Sequence, residues 1–147
     1  MHIIMNKNLP ANCTCFNLRK AARAVTQAYD HALKPSGLRA TQFSLLGAVE
    51  KHGPIGMTAL AQALVTDRTT LTRNLKPLIA LGLLRVVDGA DRRERPITLT
   101  AAGRKRLAKA MPMWRQAQAY MTDSLGHDRW AGLLGDLDET VRLAHAR

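Results

Sequence analysis

The sequence predicts a mainly α-helical protein with one small β-hairpin wing, arranged as a winged helix-turn-helix domain. Three observations lead to this fold class. Apolar residues recur at steps of three and four along most of the chain, which is typical of amphipathic helices. Over residues 58–80 a short helical segment, a tight turn and a longer helical segment follow one another, as in helix-turn-helix motifs. Two short apolar runs that flank a polar, glycine-containing loop then predict a hairpin over residues 83–99.

The chain of 147 residues fits a single domain, because no stretch is long enough to act as a linker between two domains. Residues 1–11 are expected to form a flexible arm, and residues 12–35 the first helix. Residues 41–99 make up the winged helix-turn-helix part, whose first helix is expected to have Thr41 as its N-cap. Two further helices are predicted over residues 100–147, because the apolar positions there again follow helical spacing.

The chain carries a formal net charge of +11, and its segment 68–109 is dense in lysine and arginine. Such a charge predicts a polyanionic partner, either nucleic acid or an anionic membrane surface. No apolar run approaches the ~18 residues that a membrane-spanning helix needs, and the start of the chain lacks the pattern of a secretory signal. The two cysteines lie too close together in the sequence for a disulfide that would stabilise the fold, which agrees with a reducing compartment. The sequence therefore predicts a cytoplasmic protein.

The longer helix of the motif, expected at residues 68–80, divides into two faces at about 100° per residue. Its leucines share the inward face, and the other faces carry side chains suited to the major groove of DNA. These candidates are Arg68, Thr69, Thr70, Thr72, Arg73 and Lys76. Arginine can donate two hydrogen bonds to guanine, threonine offers a hydroxyl and a methyl group, and lysine reaches phosphates. The alternative is an ordinary solvated helix face, but the neighbouring helix, the hairpin and the regional charge favour binding to double-stranded DNA.

The loop between the two predicted strands is rich in arginine. Its candidate DNA-binding residues are Asp91, Arg92, Arg93 and Arg95. An arginine at the tip of a hairpin can enter the minor groove, where the negative potential is deepest in narrow A·T tracts. Asp91 is close enough in sequence to pair with Arg93 and fix its direction. The alternative is a solvated turn, but a hairpin directly after a helix-turn-helix favours a wing.

Three motifs in this part of the chain are typical of one family. Residues 91–103 read D-R-R-E-R-P-I-T-L-T-A-A-G, residues 69–75 read T-T-L-T-R-N-L, and residues 81–84 read L-G-L-L. With these motifs the chain resembles the MarR family, the multiple-antibiotic-resistance regulators, from about residue 13 to its end.

The resemblance implies an obligate homodimer in which the helices of residues 12–35 and 100–147 interlock with those of the partner. The apolar faces of these terminal helices agree with that expectation, because a lone helix-turn-helix could not cover them. The resemblance also implies binding to palindromic operators, usually as a repressor that a small-molecule effector or oxidation relieves.

The sequence therefore predicts a sequence-specific transcription regulator that binds double-stranded DNA, with no cofactor and no catalytic residues. No Ser-His-Asp set, P-loop or H-E-x-x-H motif occurs, so the chain is not expected to be an enzyme. The alternative from another class is a basic helical module that binds proteins or a membrane surface. The arginine-tipped hairpin argues against that alternative, because a membrane-surface helix does not require it.

Cys13 and Cys15, near the start of the first helix, allow three interpretations. Cys15 begins the apolar stripe of the helix and can be a small core residue. It can also be a redox sensor, because Cys15-Phe16 with Tyr29 is similar to the organic-hydroperoxide-sensing branch of the MarR family. In that branch a cysteine so placed is oxidised and a tyrosine hydrogen-bonds to it.

The chain departs from that branch at Ala40, where the branch has a second tyrosine, and it has no distant cysteine for an internal bridge. Oxidation would then proceed through a mixed disulfide with another thiol. The third interpretation is metal sensing, which needs three or four ligands. His2 and His31 do not clearly complete such a set, so no metal site is predicted.

Overall fold

The computed structural model describes residues 5–88 and 95–146, and this part of the chain is mainly helical with one antiparallel two-stranded sheet. The bounds of its elements are α1 Thr14–Leu33, α2 Ala40–His52, α3 Met57–Ala63, α4 Arg68–Ala80, β1 Leu84–Val86, β2 Ile97–Leu99, α5 Ala101–Leu125 and α6 His127–His145. Short 3-10 helices at Pro10–Asn12 and Lys34–Ser36 precede and follow α1. This order of elements confirms the predicted winged helix-turn-helix fold class.

The hydrophobic core lies where α2, α3, α4 and the sheet meet the first turns of α5. Its fully buried side chains are Leu33, Leu46, Val49, Leu60, Leu71, Leu78, Leu83, Leu84, Ile97 and Leu107. Burying one such side chain contributes ~1.5–3 kcal/mol, so this cluster fixes how the elements pack. Phe43 on α2 stacks against Trp114 on α5 with ring centroids 5.8 Å apart, which extends the packing along α5.

Helix α4 has the bounds that the sequence predicts, because both of its ends have strong local signals. The Asp67 carboxylate accepts a hydrogen bond from the Thr70 N–H at 2.9 Å and caps the first turn. At the other end Gly82 adopts a φ of 72°, a left-handed conformation that favours glycine. The Leu83 N–H then donates to the Leu78 carbonyl at 2.9 Å and closes a Schellman motif.

The two strands form the predicted hairpin base, with Leu84 opposite Leu99 and Val86 opposite Ile97. The sheet has one contact that the sequence did not predict. The Ile55 N–H donates to the Ile97 carbonyl at 3.0 Å, and the Ile97 N–H donates to the Ile55 carbonyl at 2.8 Å. Because Ile55 lies between α2 and α3, this pair attaches the base of the wing to the helices before the motif.

The start of α2 differs from the prediction, because the helix begins at Ala40 and its N-cap residue is Arg39 rather than Thr41. The Arg39 N–H donates to the Gln42 side chain at 3.0 Å. The Ala40 N–H donates to the Asp30 carboxylate of α1 at 2.7 Å. A side chain from another helix therefore satisfies one of the free donors of the first turn, and this bond joins α1 to the helix-turn-helix part.

Helices α5 and α6 are separated at Gly126, which has a φ of 84°. Helix α5 packs against α1, α2 and α6, whereas no residue of α6 is buried. At the other end of the chain, the expected arm contains local structure. The Asn12 side chain donates to the Asn6 carbonyl, and the Asn17 side chain donates to the Ala11 carbonyl, both at 2.8 Å.

We expect Gly103→Ala to lower the free energy of unfolding by ~1–3 kcal/mol, as overpacking does. A Cβ at this position would overlap the Leu83 carbonyl oxygen and lie 2.9 Å from Leu99 Cδ1. The matched control is Gly47→Ala within α2, where a Cβ meets nothing within 4 Å. Because alanine favours helix more than glycine does, Gly47→Ala should keep or raise stability by up to ~1 kcal/mol. Urea unfolding of both variants measures the difference, and equal stabilities would contradict the close approach at Gly103.

Candidate nucleic-acid interface

The orientation of α4 is set by three leucines that pack into the core. Leu71, Leu75 and Leu78 are at most 2% exposed. The residues between them therefore face outward. Of the predicted site residues on this helix, Thr70 is half-buried and the others are exposed, namely Arg68, Thr69, Thr72, Arg73 and Lys76. The structure thus brings six predicted residues together on one helix, with two arginines and one lysine reaching into solvent.

Two side chains at the start of α4 are engaged within the helix itself. The Thr72 hydroxyl donates to the Arg68 carbonyl at 2.8 Å, so toward a ligand it offers its methyl group and acceptor lone pairs. The hydrogen bond from Thr70 holds the pKa of the Asp67 carboxyl below its ordinary value, so Asp67 stays charged near neutral pH. This fixed cap keeps the first turn of α4 regular, so the cations that follow it have defined positions.

A groove of about 440 Å³ runs between α4 and the wing. Its floor is apolar and includes Leu75, Ile79 and Ile97. Its cationic lining residues are Arg68, Lys76 and Arg95, so the helix and the wing contribute positive charge to the same concavity. The structure therefore joins Arg95 to the α4 residues, although 19 positions separate it from Lys76 in the sequence.

Arg95 is exposed and has a φ of 39°, the left-handed region that is uncommon for residues other than glycine. The other predicted wing residues, Asp91, Arg92 and Arg93, lie outside the described residues. Arg85 on β1 is a further exposed cation that was not predicted. Its exposure agrees with its position after the buried Leu84, because alternate side chains of a strand point to opposite faces.

The possible sensor residues do not contact each other within the protomer. Cys13 and Cys15 are free and exposed, so Cys15 is not a core residue of this chain. Cys15 and Tyr29 are fourteen residues apart on α1, about 21 Å at about 1.5 Å per residue. The Tyr29 hydroxyl instead donates to the Gln118 side chain of α5 at 2.7 Å. Burial raises the pKa of Tyr29 above its ordinary value, so the phenol remains a donor at neutral pH.

Tyr29 lines a second cavity of about 290 Å³ between α1, α2 and α5. Its lining residues are Val25, Thr26, Tyr29, Leu33, Ala40, Phe43, Ser44, Trp114 and Gln118. None of these side chains carries a charge at neutral pH. The cavity combines aromatic and aliphatic surface with a few hydroxyl and amide groups, a composition typical of small-molecule sites.

Among the residues that the structure describes, no helix is long and apolar enough to cross a bilayer. The same residues contain no group of three or more histidine, cysteine or acidic side chains that could hold a metal ion.

Comparison with known proteins identifies the family to which this fold belongs. Residues 36–94 match the model of the MarR family. The uncharacterized HTH-type transcriptional regulator YwoH of Bacillus subtilis is 28% identical over 89 residues, which are 60% of this chain and 65% of YwoH. The transcriptional regulator HosA of Escherichia coli is 34% identical over 97 residues, which are 65% of this chain and 70% of HosA.

A solved structure extends the similarity to nearly the whole chain. The transcriptional regulator MosR of M. tuberculosis, crystallised in complex with DNA, has 46% sequence identity and a TM-score of 0.85. The match covers 91% of this chain and 97% of the MosR chain. These relatives are transcription regulators and not enzymes. With its helix-turn-helix, its hairpin wing and these relatives, the chain belongs to the MarR family of transcription regulators.

Proposed function

We propose that this protein is a repressor that binds a palindromic operator in double-stranded DNA as a homodimer, and that a small-molecule effector or oxidation of Cys15 releases it. The observation that carries the proposal is the outward face of α4, where Arg68, Arg73 and Lys76 stand exposed above a buried leucine face. The DNA complex of MosR, the relative with 46% identity, supports this role.

The chemistry of the α4 face suits duplex DNA. Arg73 and Thr69 lie near the centre of the outward face and are suited to base edges in the major groove. Lys76 and Arg95 line the groove beside the wing and are suited to backbone phosphates, which dominate the affinity of such complexes. Helix and wing then hold the same duplex, because their cations border one concavity.

The terminal helices support the homodimer. Helix α6 has no buried residue, and its exposed apolar side chains include Leu133 at 45% and Val141 at 41% exposure. Phe16 on α1 is also half-exposed, at 51%. An apolar surface of this kind on two long helices is typical of a protein interface. A second copy covers it with a matching surface, because symmetric dimers pair the same patch on both subunits.

A symmetric dimer also explains a palindromic operator. The two α4 helices would be related by a two-fold axis and would contact half-sites about one helical turn apart, ~10 bp between centres. The distance between the two helices then depends on how the terminal helices pack. A signal that changes this packing changes affinity without touching DNA.

We expect the protein to be a dimer at micromolar concentration, and the double variant Leu133→Asn with Val141→Asn to be mainly monomeric. The two substitutions place polar groups where the proposed interface buries apolar surface. The matched control is Val65→Asn, which changes an exposed valine outside the terminal helices. Light scattering measures the mass of each protein. A wild-type monomer, or a double variant that stays dimeric, would contradict the assigned interface.

We expect Arg73→Ala to relax sequence preference and to weaken operator binding by ~1–3 kcal/mol, because a bidentate contact to guanine is lost. Lys76→Ala should weaken binding to all sequences equally and reduce the salt slope by about one, because a phosphate contact is lost. Lys51→Ala, an exposed cation at the end of α2, is the control. Fluorescence anisotropy with an operator selected from random duplexes measures all three. Unchanged binding by both α4 variants would show that α4 does not read the operator.

The uncharged cavity between α1, α2 and α5 supports a small-molecule effector. Its wall includes the Tyr29–Gln118 hydrogen bond, which joins α1 to α5, and it lies beside Ala40, where Asp30 joins α1 to α2. A ligand seated there contacts both the terminal helices and the helix-turn-helix part. Binding can therefore change their relative position, provided that the ligand prefers one arrangement over the other.

The exposed thiol of Cys15 supports oxidation as a second signal. Cys15 is accessible to a peroxide and lies beside Phe16, which belongs to the apolar surface proposed to be covered by the partner. A sulfenic acid or an attached thiol would place polar or bulky atoms at that surface. Such a change would disfavour the packing of α1 against the partner. It would thereby alter the distance between the two α4 helices.

We expect low concentrations of peroxide to weaken operator binding by the wild type about tenfold or more, and to leave Cys15→Ser unaffected, because displacing a recognition helix by ~1 Å already breaks hydrogen bonds to bases. Cys13→Ser is the matched control, since it removes the neighbouring exposed thiol. Gel shift measures binding, and mass spectrometry identifies the oxidised species. If wild-type binding survives peroxide and Cys15 remains unmodified, the effector is the signal and Cys15 is not a sensor.

A further inference from the structure

The segment between β2 and α5 contains one side chain with two different hydrogen-bonding roles. The Thr100 hydroxyl accepts from the Gly103 N–H at 3.0 Å, which caps the first turn of α5. The same hydroxyl donates to the Gly82 carbonyl at 2.6 Å. In addition, the Thr100 N–H donates to the Leu83 carbonyl at 3.1 Å. The cap of α5 is therefore bonded directly to another part of the chain.

The residues that receive these bonds are the exit of the recognition helix. Gly82 and Leu83 close the Schellman motif that ends α4. Leu84, the next residue, pairs with Leu99 at the base of the wing. Both elements proposed to contact DNA thus depart from the same few residues, and Thr100 connects that point to α5.

We infer that Thr100 is a positioning residue, which sets the direction of α4 and of the wing relative to α5 and thereby determines operator specificity without touching DNA. This inference rests on the DNA binding proposed above. Helix α5 packs against α1 and α6, and the Thr100 hydroxyl bonds the start of α5 directly to the point from which both DNA-binding elements depart.

Because Arg73 lies far from the exit of α4, a small tilt of the helix at its exit displaces Arg73. Arg73 lies eight residues before Leu81, the C-cap of α4, about 12 Å away at about 1.5 Å per residue. A tilt of about 5° at the exit of α4 therefore displaces the Arg73 backbone by about 1 Å. Hydrogen bonds to base edges do not survive such a displacement, whereas a flexible lysine can still follow a phosphate. Specific binding should therefore suffer more than non-specific binding.

Three substitutions separate this role from that of an ordinary helix cap. Thr100→Asp keeps an acceptor for the Gly103 N–H but has no proton to donate to Gly82. Thr100→Ser keeps both bonds, and Thr100→Val removes both while preserving shape. Aspartate is as good an N-cap as threonine or better, so Thr100→Asp should retain the stability of α5.

The measurement is the ratio of two dissociation constants for each folded protein. One duplex is the operator selected from random sequences by the wild type, and the other is a scrambled duplex of equal composition. An inactive fraction of protein cancels in this ratio, so a loss of stability alone does not change it. Circular dichroism melting of each variant reports the capping role separately.

We expect Thr100→Asp and Thr100→Val to reduce the specificity ratio about tenfold or more, as the loss of one good base contact does, and Thr100→Ser to stay within about twofold of the wild type. A wild-type ratio retained by Thr100→Asp would overturn the inference and leave Thr100 as a cap of α5. A ratio lost equally in Thr100→Ser would overturn it as well. If the wild type itself binds both duplexes equally, the proposed function fails, which is a different result.

Discussion

The burial of one face of α4 is the constraint on which the rest of the interface depends. Leu71, Leu75 and Leu78 meet the core from this face, and their burial fixes the rotation of the helix about its axis. A rotation by one residue, about 100°, would turn polar side chains toward the core, either Thr72 and Lys76 or Thr70 and Asn74, and would expose leucines. Such a change is strongly unfavourable. The outward direction of Arg73 is therefore a consequence of apolar packing on the opposite side.

The wing is positioned by backbone bonds rather than by its own stability. A two-stranded hairpin is marginal in isolation, and here each strand has only three residues. The Ile55–Ile97 pair adds a third backbone segment to its edge, and buried Leu84 and Leu99 insert its base into the core. These contacts hold the base of the wing in place, while the wing carries an exposed arginine.

Local chemistry made part of this structure predictable. An aspartate before α4 and a glycine after it define the helix ends, and leucines spaced four and three residues apart define its buried face. The site residues on α4 follow from these signals. The Asp30–Ala40 and Tyr29–Gln118 bonds join residues that are ten and 89 positions apart. No periodicity encodes such contacts, because they exist only after the helices have packed.

Because contacts between helices are not encoded in periodicity, the structure also differs from the sequence predictions at the start of α2 and at Cys15. Thr41 has the right residue type for a cap, but Asp30 from another helix supplies an acceptor to the same turn, and the N-cap lies two residues earlier, at Arg39. Cys15 lies at the start of an apolar stripe, and that end of the stripe is exposed in the protomer, whereas Tyr29 further along it contacts α5. Periodicity shows which residues share a face of a helix and does not show what covers that face.

The absence of any buried residue in α6 has a consequence for the lifetime of the protein. Segments with few buried contacts open at low free-energy cost, and exposed segments of this kind are preferred sites of proteolysis. A subunit without a partner would begin to unfold at α6 and become accessible to proteases there. Association with a second copy, as proposed above, would protect the helix by mass action. The cellular concentration of the regulator would then influence its own rate of degradation, with newly made subunits surviving in proportion to the partners they meet.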